Sequence, residues 1–353
     1  MKQKLRAAIM AAALFGVGLG APLEAATVKK PTTHQASKTN KKVAAKSAAK
    51  SVKKTAAKST PHKKLAANGK KGHGKSLHMA AAEPHHKAVR RAALTDIDPS
   101  RLALYSSSAL VIDQSTGQTV LEKQPDAVLP IASISKLMTA MVVLDAKQDM
   151  NEVISIGDED VDGLKGTRSR LPVGTTMTRE TAMLLALMSS ENRAAHTLGR
   201  HYPGGLGVFV QAMNKKAQAL GMYNTRFEEP TGLSSNNVST AHDLARMVSA
   251  AARYPEIRSF STTAEAKVEL KGRIHNFGTT NPLVRSDNWE IGVSKTGYIS
   301  EAGRCLVMQA RVADKPVVIV LLDSAGKMTR VGDAVRIKRW MESASLAQDK
   351  RHA

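Results

Sequence analysis

Three short motifs in this 353-residue chain hold side chains that can act together in one reaction. In chain order they are Ser133-Ile134-Ser135-Lys136, Ser190-Glu191-Asn192 and Lys295-Thr296-Gly297. Ser133 stands at the start of an apolar, helix-periodic segment, so its hydroxyl is predicted to lie near the positive end of a helix dipole. Lys136 follows one turn later and can reach the Ser133 oxygen. A lysine whose pKa is lowered by burial or by a nearby cation can serve as the base that makes a serine nucleophilic.

The other two motifs supply groups that suit a substrate and its leaving group. Ser190 and Asn192 lie between two predicted helices, where a hydroxyl can relay a proton and an amide can hold a peptide group. Lys295, Thr296 and Gly297 end a strand-like run and offer a cation, a hydroxyl and a position without Cβ for docking a substrate backbone and carboxylate. Each motif also has an ordinary interpretation: the two serines as helix N-caps, and the third motif as an exposed strand end.

Short matches of this kind recur by chance in the same chain. Further Ser-x-x-Lys matches begin at Ser47, Ser51 and Ser324, and further Ser-x-Asn matches begin at Ser235 and Ser286. Position and context therefore decide which matches carry chemistry, and they favour the three motifs described first.

The elements that must position these motifs predict an α+β fold. Apolar runs predict five strands, at residues 109–113, 119–123, 291–296, 304–312 and 316–322. Helical periodicity predicts six helices, at residues 131–146, 177–189, 191–201, 207–220, 240–253 and 331–344. Short connections demand antiparallel pairing, so the first hairpin completes one five-stranded antiparallel sheet that the first and last helices cover. The helical block, at about residues 150–255, forms an inserted lobe, and a site is expected in the cleft between lobe and sheet.

The chain before this folded part has a different composition. Residues 1–26 combine a basic start with a short apolar run, which is typical of a cleaved signal peptide and predicts a periplasmic or secreted protein. Residues 27–91 hold sixteen Lys and two Arg against the single acid Glu83, and this composition predicts a disordered linker. The folded part is predicted at residues 92–346, with a short tail at 347–353.

The basic linker has two interpretations. It is either a solvated spacer or a segment that contacts the anionic cell wall or a membrane surface. Export argues against nucleic acid, and the linker lacks Phe, Trp and Tyr for stacking on bases. Its histidines lack the spacing of metal ligands, and the single Cys305 cannot form an intramolecular disulfide.

The ordered motif set resembles the signature of penicillin-binding proteins and serine β-lactamases. Residues 130–140 resemble the active-site helix of the D-alanyl-D-alanine carboxypeptidases and endopeptidases. Residues 169–174, 192–195, 201–205 and 294–303 resemble more specifically the low-molecular-mass D-alanyl-D-alanine endopeptidases. The resemblance covers about residues 100 to 345 and implies the penicillin-binding transpeptidase or β-lactamase-like fold.

The resemblance also implies a role for each motif residue. Ser133 would attack the D-alanyl carbonyl while Lys136 takes its proton, and Ser190 would relay that proton to the leaving amine. The implied substrate-binding residues are Asn192, Lys295, Thr296, Gly297 and Tyr298. Asn192 would hold the acyl side chain, Thr296 would bind a substrate carboxylate, and the backbone N–H groups of Ser133 and Tyr298 would form the oxyanion hole. The reaction needs no metal or organic cofactor.

The main functional hypothesis is a serine endopeptidase that hydrolyses peptide cross-links of peptidoglycan and is inhibited by β-lactams. The first alternative is a D-alanyl-D-alanine carboxypeptidase. A β-lactamase is a weaker alternative, because the region Phe227–Leu233 does not match the Glu-x-x-Leu-Asn pattern that supplies a base for deacylation. A non-catalytic wall-binding protein is the weakest, since all three motifs are intact.

Overall fold

The computed structural model describes residues 102–352. The predicted signal peptide (1–26) and basic linker (27–91) lie outside the described residues. Within the described range, no helix combines the length and the apolar character that crossing a membrane would require.

A five-stranded antiparallel sheet forms the centre of the fold, and its strand order is β2-β1-β11-β10-β9. Its strands are β1 (Ser106–Asp113), β2 (Thr119–Lys123), β9 (Glu290–Ile299), β10 (Gly303–Val312) and β11 (Lys315–Ser324). β1 pairs with β11 in a register that places Leu110 opposite Val320. The first and last strands of the domain are thereby neighbours in the middle of the sheet, and β9 forms one of its edges. The predicted α+β class and the single five-stranded antiparallel sheet are confirmed.

Seven α-helices accompany this sheet among the described residues. They are α1 (Ser135–Asp145), α2 (Arg179–Met188), α3 (Asn192–Arg200), α4 (Gly205–Ala219), α5 (Ala241–Ala251), α6 (Pro255–Ser261) and α7 (Thr329–His352). Two-stranded ladders join β3 (Leu129–Pro130) to β6 (Val238–Ser239), β4 (Val153–Ser155) to β5 (Thr176–Thr178), and β7 (Glu265–Leu270) to β8 (Arg273–Gly278). The last helix continues to His352, through most of the segment 347–353 that the sequence analysis set apart.

Each face of the sheet has its own apolar core. α7 packs on β10, β11 and β1 over one core, which includes Ile319, Leu321 and Ile337. On the other face α5 packs on the same three strands, and α6 packs beside β9. The sequence analysis placed α1 directly on the sheet, and this position was wrong. Nine of the eleven residues of α1 are buried, and the helix contacts α2, α3, α4 and α5, because a helix that is apolar on all sides must be surrounded.

The β7–β8 hairpin and α6 were not predicted. β7 alternates polar and apolar residues as a half-buried strand does, and this signal was missed, whereas β8 shows no regular alternation. The hairpin turns at Lys271 and Gly272, both with positive φ. It contacts the helical lobe through Lys271, whose Nζ donates to the Val173 carbonyl at 2.7 Å.

Candidate active site

Ser133 lies in a tight 3₁₀ turn, Ala132–Ile134, that leads into α1. The turn begins at Ala132 with φ +48°, a left-handed conformation that strains a residue with a Cβ. Two glycines, which lack a Cβ, let neighbouring segments of backbone pack closely against this turn. A Cβ on Gly232 would overlap the Ala132 carbonyl oxygen, and a Cβ on Gly297 would lie 2.9 Å from the Ile131 oxygen. β9 and the loop before Leu233 therefore pack directly against the backbone at Ser133.

The structure contradicts the N-cap interpretation of Ser133. The N-cap of α1 is Ile134, and neither the 3₁₀ turn nor α1 has a side-chain cap. Instead, Lys136 Nζ donates to Ser133 Oγ at 2.8 Å. The Ser133 hydroxyl thus bonds to an amine and does not cap a helix.

Lys136 is fully buried and has three oxygen partners. Its Nζ donates to Ser133 Oγ at 2.8 Å, to Asn192 Oδ1 at 2.8 Å and to the Thr231 carbonyl at 2.6 Å. Within the described residues no carboxylate lies at ion-pair distance from it. Burial lowers the pKa of Lys136 to about 7, although Glu229 and Glu191 at longer range raise it. An amine with this pKa can exchange a proton near neutral pH.

Ser190 pairs with the second lysine across the cleft. It is the left-handed residue (φ +61°) between α2 and α3, and the N-cap of α3 is Glu191, which makes no side-chain cap. Lys295 Nζ donates to Ser190 Oγ at 2.8 Å and to the Thr296 carbonyl at 2.9 Å. Lys295 is 1% exposed, so it is not the exposed strand end of the ordinary interpretation. Burial lowers the pKa of Lys295 well below its usual value, and the charges of Lys136 and Arg330 lower it further.

The remaining predicted site residues line the same cleft. Asn192, the first residue of α3, joins Lys136 to Thr167, whose Oγ1 accepts from Asn192 Nδ2 at 3.0 Å. Thr296 is buried on β9 and donates to Thr280 Oγ1 at 2.6 Å. Tyr298 is 56% exposed, and its ring lies under the Arg304 guanidinium, 4.3 Å from Cζ to centroid.

Sequence reasoning missed Arg330, a cation in the first turn of α7. Arg330 is buried, and its Nε and Nη1 have no hydrogen-bond partner among the described residues. Burial lowers the pKa of its guanidinium, and the charge of Arg330 acts on Lys295. An anion that enters beside Lys295 would therefore lie near the Arg330 guanidinium and would favour the protonated form of the Lys295 amine. No motif marks this arginine, since it lies on a helix remote in sequence.

Glu229 is held by its own loop. Its carboxylate accepts from the backbone N–H groups of Thr231 and Gly232, both at 2.6 Å, and of Ser234 at 3.3 Å. Asn237 Nδ2 donates to it at 3.2 Å. These four donors explain why the loop has its shape and why Thr231 presents its carbonyl to Lys136.

Two depressions meet at Asn192. One, of about 430 Å³, is lined by residues 168–170 and 189–192. The other, of about 120 Å³, is lined by residues 159–164 of the helical lobe together with His196, Glu229, Thr231 and Leu233. Among the described residues no group of three or more His, Cys, Asp or Glu side chains is arranged to hold a metal ion. The chemistry available at this site is that of two serines and two buried amines.

Several known proteins are similar to this chain in sequence and in fold. The D-alanyl-D-alanine carboxypeptidase family matches residues 95–326. A D-alanyl-D-alanine endopeptidase of Pseudomonas aeruginosa is 49% identical over 250 residues, which are 70% of this chain and 81% of the relative. A D-alanyl-D-alanine endopeptidase of Escherichia coli is 45% identical over 273 residues, 77% of this chain and 87% of the relative. The crystal structure of a Streptomyces DD-transpeptidase superposes with a TM-score of 0.63 at 26% identity, over 67% of this chain and 97% of the other.

These similarities confirm the family resemblance and the penicillin-binding fold that the motifs predicted. The matched region contains all three motifs, and the structure brings those motifs into one cleft. The chain belongs to the D-alanyl-D-alanine carboxypeptidase family of serine peptidases.

Proposed function

We propose that this protein is a serine D-alanyl-D-alanine endopeptidase that hydrolyses the peptide cross-links of peptidoglycan through an acyl-enzyme on Ser133. The observation that carries the proposal is the 2.8 Å hydrogen bond between Ser133 Oγ and Lys136 Nζ, with the pKa of Lys136 lowered to about 7 by burial. The similarity to two D-alanyl-D-alanine endopeptidases, at 45% and 49% identity, supports the endopeptidase specificity.

In the first half-reaction, neutral Lys136 accepts the hydroxyl proton while Ser133 Oγ bonds to the D-alanyl carbonyl carbon. The carbonyl oxygen becomes an oxyanion that the backbone N–H groups of Ser133 and Tyr298 stabilise, and one such donor is worth about 3 kcal/mol in serine hydrolases of another fold. The C–N bond then breaks, and Ser190 relays the proton from Lys136 to the leaving amine. Water attacks the resulting ester, the acyl group leaves as a carboxylic acid, and a proton of the water restores the Ser133 hydroxyl.

Substrate binding is assigned to the residues around this pair. Asn192 holds the amide of the acyl side chain, and Gly297 lets the substrate backbone run close along the edge strand β9. Lys295 and Thr296 take up a substrate carboxylate. The unpartnered guanidinium atoms of Arg330 support the placement of an anion at this end of the cleft.

A D-alanyl-D-alanine carboxypeptidase is the second candidate. Membership of the D-alanyl-D-alanine carboxypeptidase family favours it. Incubating the mature protein with purified cross-linked muropeptides and with pentapeptide monomers separates the two activities. Dimers that fall to monomers support the endopeptidase, whereas release of free D-alanine alone contradicts it and supports the carboxypeptidase. Ser133→Ala, run beside the wild type, controls for a contaminating hydrolase.

A β-lactamase is disfavoured by the state of Glu229. Its carboxylate oxygens accept from three backbone N–H groups and one amide, so they are not free to activate a deacylating water. β-Lactams are therefore expected to act as slowly released acylating inhibitors. Fast turnover of a chromogenic cephalosporin would contradict this expectation.

The organisation of the whole chain is part of the proposal. Residues 1–26 act as a signal peptide that directs the protein to the periplasm, and residues 27–91 form a linker whose +17 charge contacts anionic wall or membrane surfaces. The peptidase domain occupies about residues 92–346. Retention of the exported protein on purified wall sacculi, followed across a salt series, tests the linker assignment.

A further inference from the structure

A continuous chain of hydrogen bonds leads from a surface loop to the nucleophile. The loop, residues 161–175, connects a 3₁₀ turn to β5. Thr167 Oγ1 donates to Asp162 Oδ2 at 2.6 Å, and Asn192 Nδ2 donates to Thr167 Oγ1 at 3.0 Å. Lys136 Nζ then donates to Asn192 Oδ1 at 2.8 Å and to Ser133 Oγ at 2.8 Å.

Asp162 determines the direction of the first two bonds. An ionised carboxylate can only accept hydrogen bonds. Asp162 also accepts from the backbone N–H groups of Leu164 at 2.8 Å, Lys165 at 2.9 Å and Thr167 at 2.8 Å. Partial burial raises the pKa of Asp162, but these bonds and the Thr167 hydroxyl outweigh burial and hold the pKa below its usual value. The single hydroxyl proton of Thr167 is thus committed to Asp162, and its oxygen can only accept from Asn192.

Thr167 in turn determines which way the Asn192 amide faces. Its oxygen needs a donor, which is the NH₂ end of the amide, so the carbonyl end must point to Lys136. If the amide turned over, its oxygen would face the Thr167 oxygen with no proton between them. Its NH₂ would then point at the lysine amine.

The orientation of the Asn192 amide matters most when Lys136 is neutral. A neutral amine has two N–H donors and one lone pair. Asn192 Oδ1 and the Thr231 carbonyl are both acceptors only, and they lie 2.8 Å and 2.6 Å from Nζ. They take both donors, and the lone pair is left for the third neighbour, the Ser133 hydroxyl at 2.8 Å.

We propose that Thr167 and Asp162 are positioning residues, which fix the Asn192 amide and thereby direct the lone pair of Lys136 at the Ser133 hydroxyl. This inference rests on the proposed roles of Ser133 and Lys136. Without Thr167 the amide is free to turn over and donate to the lysine lone pair, which blocks the base. Loss of the carbonyl that accepts from the ammonium also lowers the pKa of Lys136, because hydrogen bonds to the charged form no longer favour it.

The test measures the acylation rate by a fluorescent penicillin between about pH 5 and pH 9 in Thr167→Val, Thr167→Ser and the wild type. The valine variant keeps the branched shape but removes the hydroxyl. We expect its maximal rate to fall at least about tenfold, a factor equivalent to ~1.4 kcal/mol, and its pH midpoint to move downward. Thr167→Ser retains the hydroxyl, and its rate is expected to stay within about twofold of the wild type.

Thr178→Val is a matched control. Thr178 is the N-cap of α2, accepts from Thr181 N at 3.1 Å, and lies at the opposite end of that helix from Ser190. This variant should melt at a lower temperature, because an N-cap is lost, yet keep the wild-type pH midpoint.

Two results would overturn the inference. The first is a Thr167→Val enzyme whose rate falls while its midpoint stays in place, since a merely structural role gives that result. The second is a serine variant as impaired as the valine variant. Asp162→Asn provides an independent check, because an amide at this position can donate and lets the Thr167 hydroxyl turn round; an unchanged pH profile in this variant would also contradict the inference. Failure of the proposed base itself would look different, as a wild-type rate that does not vary with pH.

Discussion

The site contains two serine–lysine pairs with the same hydrogen-bond length but different construction. Ser133 and Lys136 are three residues apart on one turn of chain, and Ser190 and Lys295 are 105 residues apart on opposite walls of the cleft. Both lysines are buried, and the N–O distance within each pair is 2.8 Å. Distance and burial alone therefore do not tell the two amines apart.

The charged groups near each amine distinguish Lys136 from Lys295. The carboxylates of Glu229 and Glu191 act on Lys136 and offset part of the cost of burial, so that the pKa of Lys136 is about 7. Lys295 instead lies near Lys136 and Arg330. Burial is the largest cause that lowers the pKa of Lys295, and the charges of these two residues lower it further. The first pair is thus suited to exchange a proton near neutral pH, and the second is suited to attract an anion and to orient Ser190.

The largest effect is expected from removing Ser133, the proposed nucleophile of the first pair. Ser133→Ala leaves no oxygen to form the acyl-enzyme, so covalent labelling by a fluorescent penicillin should disappear. Peptide mass spectrometry of the wild type should place the adduct on Ser133. Labelling of the alanine variant at the wild-type level would contradict the assignment.

Exchanging each lysine for arginine compares the two pairs directly. Lys136→Arg keeps a charge but cannot act as a base, because the guanidinium stays protonated, and acylation should fall at least about a thousandfold. From the sequence alone, Lys295→Arg would be expected to retain partial activity through its charge. Because Lys295 is buried between the Ser190 hydroxyl and the Thr296 carbonyl, we now expect a loss of about a hundredfold.

Stopped-flow acylation rates against pH, with melting temperatures as the folding control, measure both effects. The wild-type rate should rise as the pH passes through about 7, where Lys136 loses its proton. A Lys136→Arg enzyme that acylates normally would remove lysine from the role of base.

Gly232→Ala should damage the first pair and spare the second. A Cβ at this position would overlap the Ala132 carbonyl oxygen, and the φ of +83° strains any residue with a side chain. We expect acylation to fall about tenfold to a hundredfold as the turn that carries Ser133 shifts. Gly207→Ala is the control, because a Cβ there meets no atom within 4 Å. Equal rates for both variants would show that the close approach of this loop does not hold the nucleophile.

The lowered pKa of Lys136 also predicts how stability depends on pH. Between about pH 7 and the usual lysine pKa of 10.5, the unfolded chain binds a proton that the folded protein does not. The free energy of unfolding of the wild type, relative to Lys136→Met, should therefore rise with pH across this window, by at most about 1.4 kcal/mol per pH unit. Below pH 7 the difference should level off. Urea denaturation of both proteins at several pH values measures it, and parallel curves would contradict the shifted pKa.

The smallest effect on catalysis is expected from removing the basic segment 27–91. Deleting residues 27–91 should leave the melting temperature and the turnover of soluble muropeptides nearly unchanged, because this composition offers no apolar core. Binding to intact sacculi should weaken, because the deletion removes a charge of +17 that attracts an anionic wall. Binding of the full-length protein should fall as salt is added, since exposed charges are screened beyond about 8 Å at physiological ionic strength. A marked fall in melting temperature would show that the segment belongs to the folded domain.

Local patterns were sufficient to predict most of the elements of the fold. The strands around Val307 and Val320 and the helix around Leu137 are apolar runs whose period identifies them without knowledge of their partners. The hairpin β7–β8 escaped prediction because the alternation in β7 is only six residues long and β8 does not repeat it, although Leu270 and Phe277 are buried in the larger apolar core. The position of α1 was also wrong, since periodicity reports which residues are buried and not what buries them.

The sequence by itself determined the three motifs, their order and the family, because these depend on residue type and short spacing. Only the tertiary structure decided that Ser190 faces Lys295, that the buried Arg330 guanidinium lies near Lys295, and that Thr167 reaches Asn192. It also decided the electrostatic difference between the lysines, because desolvation and charge act through space and not along the chain. Chemistry at this site therefore depends on residues that no local pattern connects.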